Sequence, residues 1–291
     1  MRYVVSLIAN RAASSLTPAV IRDVREAVGG GETVVLAPGE ATDIILDAAP
    51  DMDAVRSVLN QAAVDAVTTP AKGRRKRLLI ADMDSTVVTG ETLDELADFA
   101  GIKDRIAAIT ARAMNGELDF KAALRERVAM LKGLRVDALE RTWQRIRLTP
   151  GARELVATMR AHGALTVLVS GGFSFFTSRV AALCGFDQYR ANTLLDDGTV
   201  LTGGVAEPIL DRNTKLVTLT SLAATCEVPL SATLAVGDGA NDLDMLRAAG
   251  LGVAFRAKPN VAVAARARID HADLRAVLFV QGYRSDEFVA S

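Results

Sequence analysis

Two textures of apolar spacing follow one another along the chain. Up to residue 71, short apolar runs are interleaved with stretches whose apolar positions recur at helical spacing. This pattern predicts strands over 3–9, 33–36, 43–47 and 64–67, and helices over 18–28 and 52–63. From residue 78 the strands become nearly continuous apolar runs, at 78–81, 165–170, 234–237 and 252–255, separated by helical stretches. Continuously apolar strands are buried on both faces. The alternation therefore predicts an α/β unit, a Rossmann-like doubly wound parallel sheet with helices on both sides. A long stretch of helical periodicity, about 92–147, is inserted between the first two of these strands as a cap. Asp196-Asp197-Gly198-Thr199, between apolar pairs, reads as a hairpin turn. The expected division is 1–71, a basic connecting run at 72–77, and 78–291.

The βαββαβ order of the first part is that of a ferredoxin-like α+β sandwich. In layout it resembles the small ACT-like modules that bind amino acids and regulate metabolic enzymes. Composition narrows the partners. Thirty-four basic residues stand against 35 acidic ones, a net charge of −1, so no global field points to nucleic acid or an anionic membrane. The run Lys72-Gly73-Arg74-Arg75-Lys76-Arg77 has no second basic cluster beside it and is expected to be a solvated linker. The two cysteines, Cys184 and Cys226, build neither a disulfide framework nor a metal motif, which suits a reducing cytoplasm. The apolar N-terminal stretch is cut short at Asn10 and Arg11, and no run approaches the roughly 20 residues of a membrane helix. A soluble, cytoplasmic protein acting on a small molecule is expected, and a homodimer is compatible with it.

The acids carry the chemistry. Asp82 follows the strand 78–81 directly and Asp84 comes two residues later; a second strand runs into Ser170-Gly171-Gly172, and a third into Gly237-Asp238-Gly239-Ala240-Asn241-Asp242. Open α/β sheets bind ligands at the carboxyl ends of their strands, so three ends deliver carboxylates, a hydroxyl and bare backbone to one edge. The chain has only His162 and His271, both in unrelated contexts, which argues against histidine nucleophiles and multi-histidine metal sites. A few hard oxygen ligands suit Mg²⁺. A carboxylate can attack phosphorus if positive charge offsets the meeting of two anions. A rival motif, Cys184 to Arg190, has the Cys-x₅-Arg spacing of cysteine-dependent phosphatases. Asp187 inside that loop would repel phosphate, and Cys184 reads as a buried helix residue.

Asp82-Met83-Asp84-Ser85-Thr86, Ser170-Gly171-Gly172, Lys215 and Gly237 to Asp242 resemble the four ordered motifs of the haloacid-dehalogenase (HAD) phosphatase superfamily. The resemblance implies that Asp82 is the nucleophile and that Asp82, Asp84 (through its backbone) and Asp238 hold Mg²⁺. It implies that Asp84 is the acid and base, that Ser170, Gly171, Gly172 and Asn241 bind substrate, and that Lys215 neutralises nucleophile and phosphate, steadied by Asp242.

The insertion resembles the cap of phosphoserine phosphatases. The matching segments are Glu91-Thr92-Leu93-Asp94-Glu95, Ala113-Met114-Asn115-Gly116, Asp119-Phe120 and Leu124-Arg125-Glu126-Arg127-Val128. On residues alone, Arg127 falls inside the apolar stripe Phe120, Ala123, Leu124, Val128 and Leu131. There it is either half of a structural ion pair or an anchor for a substrate carboxylate. Glu91 is either a first-turn acid favoured by the helix dipole or a partner for a substrate ammonium. Met114 and Phe120 serve cap packing or shield the site. The likeness implies hydrolysis of O-phosphoserine, the last step of serine biosynthesis, with homoserine phosphate or phosphocholine as alternative substrates. A non-catalytic amino-acid sensor is the reading from another class, and the intact Asp82, Asp84, Lys215 and Asp238 stand against it.

Overall fold

The computed structural model describes residues 1–12, 15–60, 62–114 and 118–290. In the first part, β1 (Tyr3–Ala9), α1 (Pro18–Ala27), β2 (Glu32–Ala37), β3 (Ala41–Leu46), α2 (Met52–Leu59) and β4 (Val64–Pro70) follow one another. The four strands form an antiparallel sheet in the order β2-β3-β1-β4, the ferredoxin-like arrangement. Thr17 caps α1 through its hydroxyl, with Pro18 in the first turn, and Asp51 caps α2. That second helix stops short of residue 63 because Asn60 turns to a φ of +30°. One face of the sheet packs Val5, Leu7, Ile44 and Leu46 under the two helices, with Val24 and Val55. Its other face sends Ile8, Ala41 and Val67 into the core of the rest of the molecule.

The second part is built on β5 (Leu78–Ala81), β6 (Leu165–Phe173), β7 (Gln188–Asn192), a hairpin of β8 (Leu194–Asp196) and β9 (Leu201–Val205), then β10 (Thr233–Gly237), β11 (Leu251–Phe255) and β12 (Ala267–Ile269). Six of these make a parallel sheet in the order β12-β11-β10-β5-β6-β7. Because side chains alternate along a strand, Leu79 and Ala81 enter one core and Leu78 and Ile80 the other. The helices of the second part are α3 (Thr92–Phe99), α4 (Lys103–Met114), α5 (Phe120–Ala129), α6 (Asp137–Trp143), α7 (Ala152–Ala161), α8 (Ser174–Cys184), α9 (Arg212–Thr225), α10 (Leu243–Ala248), α11 (Pro259–Ala264) and α12 (Ala276–Val280). Helices α7, α8 and α12 cover one face of the sheet and α9, α10 and α11 the other, while α3 to α6 form the cap. Among the described residues no helix is long and apolar enough to cross a membrane.

Within the basic run at 72–77, Lys72, Gly73, Arg75 and Arg77 are exposed, as expected of a solvated linker, while Arg74 and Lys76 are part-buried. Arg74 reaches back to Asp43 Oδ2 at 2.5 Å and to Ser6 Oγ at 2.9 Å, and donates to the carbonyls of Phe279 and Val280 at 3.1 Å each. Arg75 pairs with Glu287 and stacks on Tyr283, and the Lys76 N–H donates to Gln281. The reason is geometric: the sheet face carrying Ser6 and Asp43 is covered by the C-terminal segment, and Arg74 satisfies polar groups from both.

Candidate active site

Three strand ends meet where β5, β6 and β10 leave the sheet. Asp82, only 6% exposed, accepts the Met83 N–H at 2.8 Å and lies 2.7 Å from Lys215 Nζ. Lys215 sits in the first turn of α9, whose Asp211 cap fixes the start of the helix. It is 2% exposed, and its Nζ donates to Asp242 Oδ1 at 2.6 Å. The other Asp242 oxygen accepts the Gly239 N–H at 3.0 Å. A Cβ at Gly237 would stand 2.4 Å from Asp242 Cγ, so this turn requires glycine for close approach. Asp238 accepts the Thr86 hydroxyl at 3.2 Å.

Asp82, Asp238 and Asp242 bring one oxygen each to within 4.8 Å of one another. Lys215 lies between Asp82 and Asp242 and Lys258 acts on Asp238, so the three buried carboxylates still outnumber the cations beside them. Burial and the charges of Asp242 and Asp238 push Asp82 well above the ordinary carboxylate range, against the pull of Lys215. Burial, then Asp242 and Glu91, raise Asp238 to about 6. Burial alone would lower Lys215, but Asp242 and Asp82 outweigh it and hold its ammonium above the ordinary value. Hard oxygen donors, crowded and short of positive charge, fit a divalent cation.

The Asp84 side chain lies apart from the trio. Its Oδ1 accepts the Thr92 N–H at 2.7 Å and its Oδ2 the Ser170 hydroxyl at 3.1 Å. Burial, then the Glu91 charge, raises it to about 6. Between these residues, Ser85 takes a left-handed φ of +56° and hydrogen-bonds Glu91 at 2.7 Å. The Gly172 N–H donates to Ser170 Oγ at 2.8 Å. A Cβ on Gly172 would meet Asp84 Oδ2 and Ser170 Oγ, each at 3.0 Å.

A cleft of about 960 Å³ opens over these groups, lined on the core side by Asp82, Asp84, Gly171, Gly172, Asp238 and Asn241, and from the cap by Glu91, Phe120 and Arg127. Ser170 lies just behind it, in a small recess shared with Lys215 and Asn241. The ring of Phe120 lies over Gly171, whose added Cβ would be 3.3 Å from it. Arg127 donates to the Ala123 carbonyl and the Thr110 hydroxyl, each at 3.2 Å. Among the described residues it forms no ion pair; Asp94 and Glu91 are the nearby acids that offset the effect of its burial. The Met114 side chain lies outside the described residues.

The rival cysteine motif is chemically idle. Cys184 is buried and its thiol is pushed up to about 12, while Asp187 is spent on Arg160 and Thr166 and Arg190 on Thr218. His162 ends α7 and His271 meets Asp65; neither lines the cleft.

The family profile of the haloacid dehalogenase-like hydrolases matches residues 79–247. The chain belongs to that family. A phosphoserine phosphatase of Streptomyces coelicolor is 46% identical over 219 residues, which is 75% of this chain and 53% of that protein. The chain thus spans about half the length of that relative. A HAD-family hydrolase of Salmonella enterica has a similar structure, with a TM-score of 0.83 and 30% identity, covering 96% of this chain and 98% of the other. A probable phosphoserine phosphatase of Vibrio cholerae gives a TM-score of 0.80 at 32% identity, covering 97% and 86%.

In this haloacid dehalogenase-like chain, sequence reasoning missed three groups. Thr92 presents an unbonded helix-start N–H to Asp84, a role legible from its place beside Glu91. Asp94 falls one turn beyond Glu91 on the same helix and lines the same cleft. Asn192, on an edge strand without an apolar pattern, carried no signal, yet it is buried beside the glycine pair of β6.

Proposed function

We propose that the chain is a Mg²⁺-dependent phosphoserine phosphatase that works through an aspartyl-phosphate. The observation that carries this reading is the buried Asp82–Lys215–Asp242 line, beside Asp238, at the floor of a cleft whose opposite wall offers Arg127. Asp82, Asp238 and the Asp84 backbone would hold the ion, which when bound supplies the positive charge that lets an anionic nucleophile approach a phosphate.

An Asp82 oxygen attacks phosphorus as the bond from phosphorus to the serine oxygen breaks, and Asp84 gives its proton to that leaving oxygen. Asp84, now a carboxylate, takes a proton from water; the hydroxide attacks phosphorus, and the phosphorus–Asp82 bond breaks to release phosphate. A value near 6 lets Asp84 serve both halves of the cycle. Ser170 and the Gly171 backbone take phosphoryl oxygens, the Gly172 N–H holds the Ser170 hydroxyl beside them, Lys215 offsets their charge, and Asn241 lines the same recess. Arg127, which among the described residues donates to neutral oxygens, grips the substrate carboxylate, and Glu91 the ammonium. The cysteine content and the small-molecule chemistry suit the cytoplasm. Phosphate release from phosphoserine, homoserine phosphate, phosphocholine and an aryl phosphate, with and without Mg²⁺, tests the reading. Metal-dependent preference for phosphoserine is expected; preference for phosphocholine, which has no carboxylate, would overturn the role of Arg127.

A further inference from the structure

The Asn192 amide lies outside every chemical motif, 2% exposed, between two of them. Its Nδ2 donates to the Gly171 carbonyl at 2.8 Å and to the Leu210 carbonyl at 3.3 Å, while its Oδ1 accepts the Leu210 N–H at 2.7 Å. Gly171 C=O and Gly172 N–H belong to one planar peptide unit. Fixing the carbonyl therefore fixes the direction of the N–H that holds Ser170 Oγ at 2.8 Å. On its other side, Leu210 precedes Asp211, the cap of α9, and Lys215 follows in the first turn of that helix. One side chain thus ties the glycine pair at the end of β6 to the start of the lysine helix, two elements that share no other hydrogen bond among the described residues.

From this geometry we infer that Asn192 is a positioning residue for phosphoryl transfer, holding the Ser170–Gly172 end of β6 and the Lys215 helix in register around the phosphate. The inference rests on the reading of the site as a phosphatase. Asn192 lines neither the cleft nor the recess behind it. It sets the separation between the donors at the end of β6 and the ammonium, and an error there weakens every phosphate ester alike, whatever the cap grips. A buried amide with three partners is also costly to remove, since each orphaned carbonyl loses its donor.

The test uses the full chain with Mg²⁺. Asn192→Leu removes all three bonds; Asn192→Asp keeps the shape and the acceptor but loses both donors. Each should lower kcat/KM roughly 10- to 100-fold, equally for phosphoserine and an aryl phosphate, and should weaken inhibition by inorganic phosphate in parallel. An unchanged inhibition constant with only kcat reduced means a smaller active fraction, a purely structural role, and overturns the inference. So does a loss confined to phosphoserine. If neither variant folds, hydrogen exchange on the unaltered protein decides: inorganic phosphate should slow exchange at 171–172 and at 209–211 together, and slowing at the first segment alone contradicts the coupling. If the unaltered protein hydrolyses no phosphomonoester, the phosphatase reading itself has failed.

Discussion

At the scale of single residues, charge is the governing quantity. Asp84 and Asp238 stand near 6, against an ordinary 3.8, because burial and neighbouring carboxylates disfavour their ionised forms. Between about 4 and 6 the folded, metal-free protein therefore holds protons that the unfolded chain has released. The stability these groups contribute is fully present below the lower value and is lost as pH rises through the upper one. The melting temperature of chelated protein should fall from about pH 5 to pH 7, and saturating Mg²⁺ should remove most of that fall. A melting temperature that climbs over this interval without metal contradicts the charge balance drawn for the site. Arg127 makes a different demand. It is part-buried and, among the described residues, hydrogen-bonded to neutral oxygens. Truncating one partner of a desolvated charge pair costs roughly 2–5 kcal/mol, so Arg127→Ala should reduce kcat/KM for phosphoserine about 30- to several-thousand-fold. An aryl phosphate should be far less affected; equal losses on the two substrates would make Arg127 a structural residue.

At the scale of elements, the site is held by turns that tolerate no side chain. Gly237→Ala would drive a methyl group into Asp242 and displace the carboxylate that orients Lys215. Overpacking of this kind costs about 1–3 kcal/mol. Thermal unfolding should show that loss, and Mg²⁺-dependent activity should fall with it; full activity at wild-type stability contradicts the assigned role of Asp242. The central strands β5, β6, β10 and β11 were legible because a strand covered on both faces must be apolar throughout, and the residues at their ends followed from that. The edge strands β7 and β12 were not. Gln188-Tyr189-Arg190-Ala191-Asn192 has one solvated side and no apolar period, and Ala267–Ile269 is too short to show one. Asn192 was hidden for the same reason, since its burial comes from loops packed over an edge. The path of Arg74 was equally illegible, because a basic run reveals its partners only once distant carboxylates are brought beside it.

At the scale of the whole molecule, the ferredoxin-like part is bound to the remainder through buried polar contacts. Asp65 on β4 accepts the N–H groups of Asp270, His271 and Ala272, Glu40 pairs with Arg275, and Asp43 pairs with Arg74. Removing residues 1–72 would leave Arg74 and Arg275 without these partners. Breaking a buried pair costs about 3–5 kcal/mol, so the fragment should unfold at a clearly lower temperature than the full chain, and Asp43→Ala should reproduce part of the drop without altering kcat of the folded protein. A fragment as stable as the whole would show these contacts to be dispensable. The central claim concerns covalent chemistry at Asp82, and the mass of the intact chain tests it most directly. Protein mixed with phosphoserine and Mg²⁺ and quenched in acid should carry one phosphoryl group, mapped to Asp82, with more of it trapped in Asp84→Asn and none in Asp82→Asn. A phosphoryl group mapped to any other residue, Cys184 included, or turnover that continues in Asp82→Asn, would contradict it.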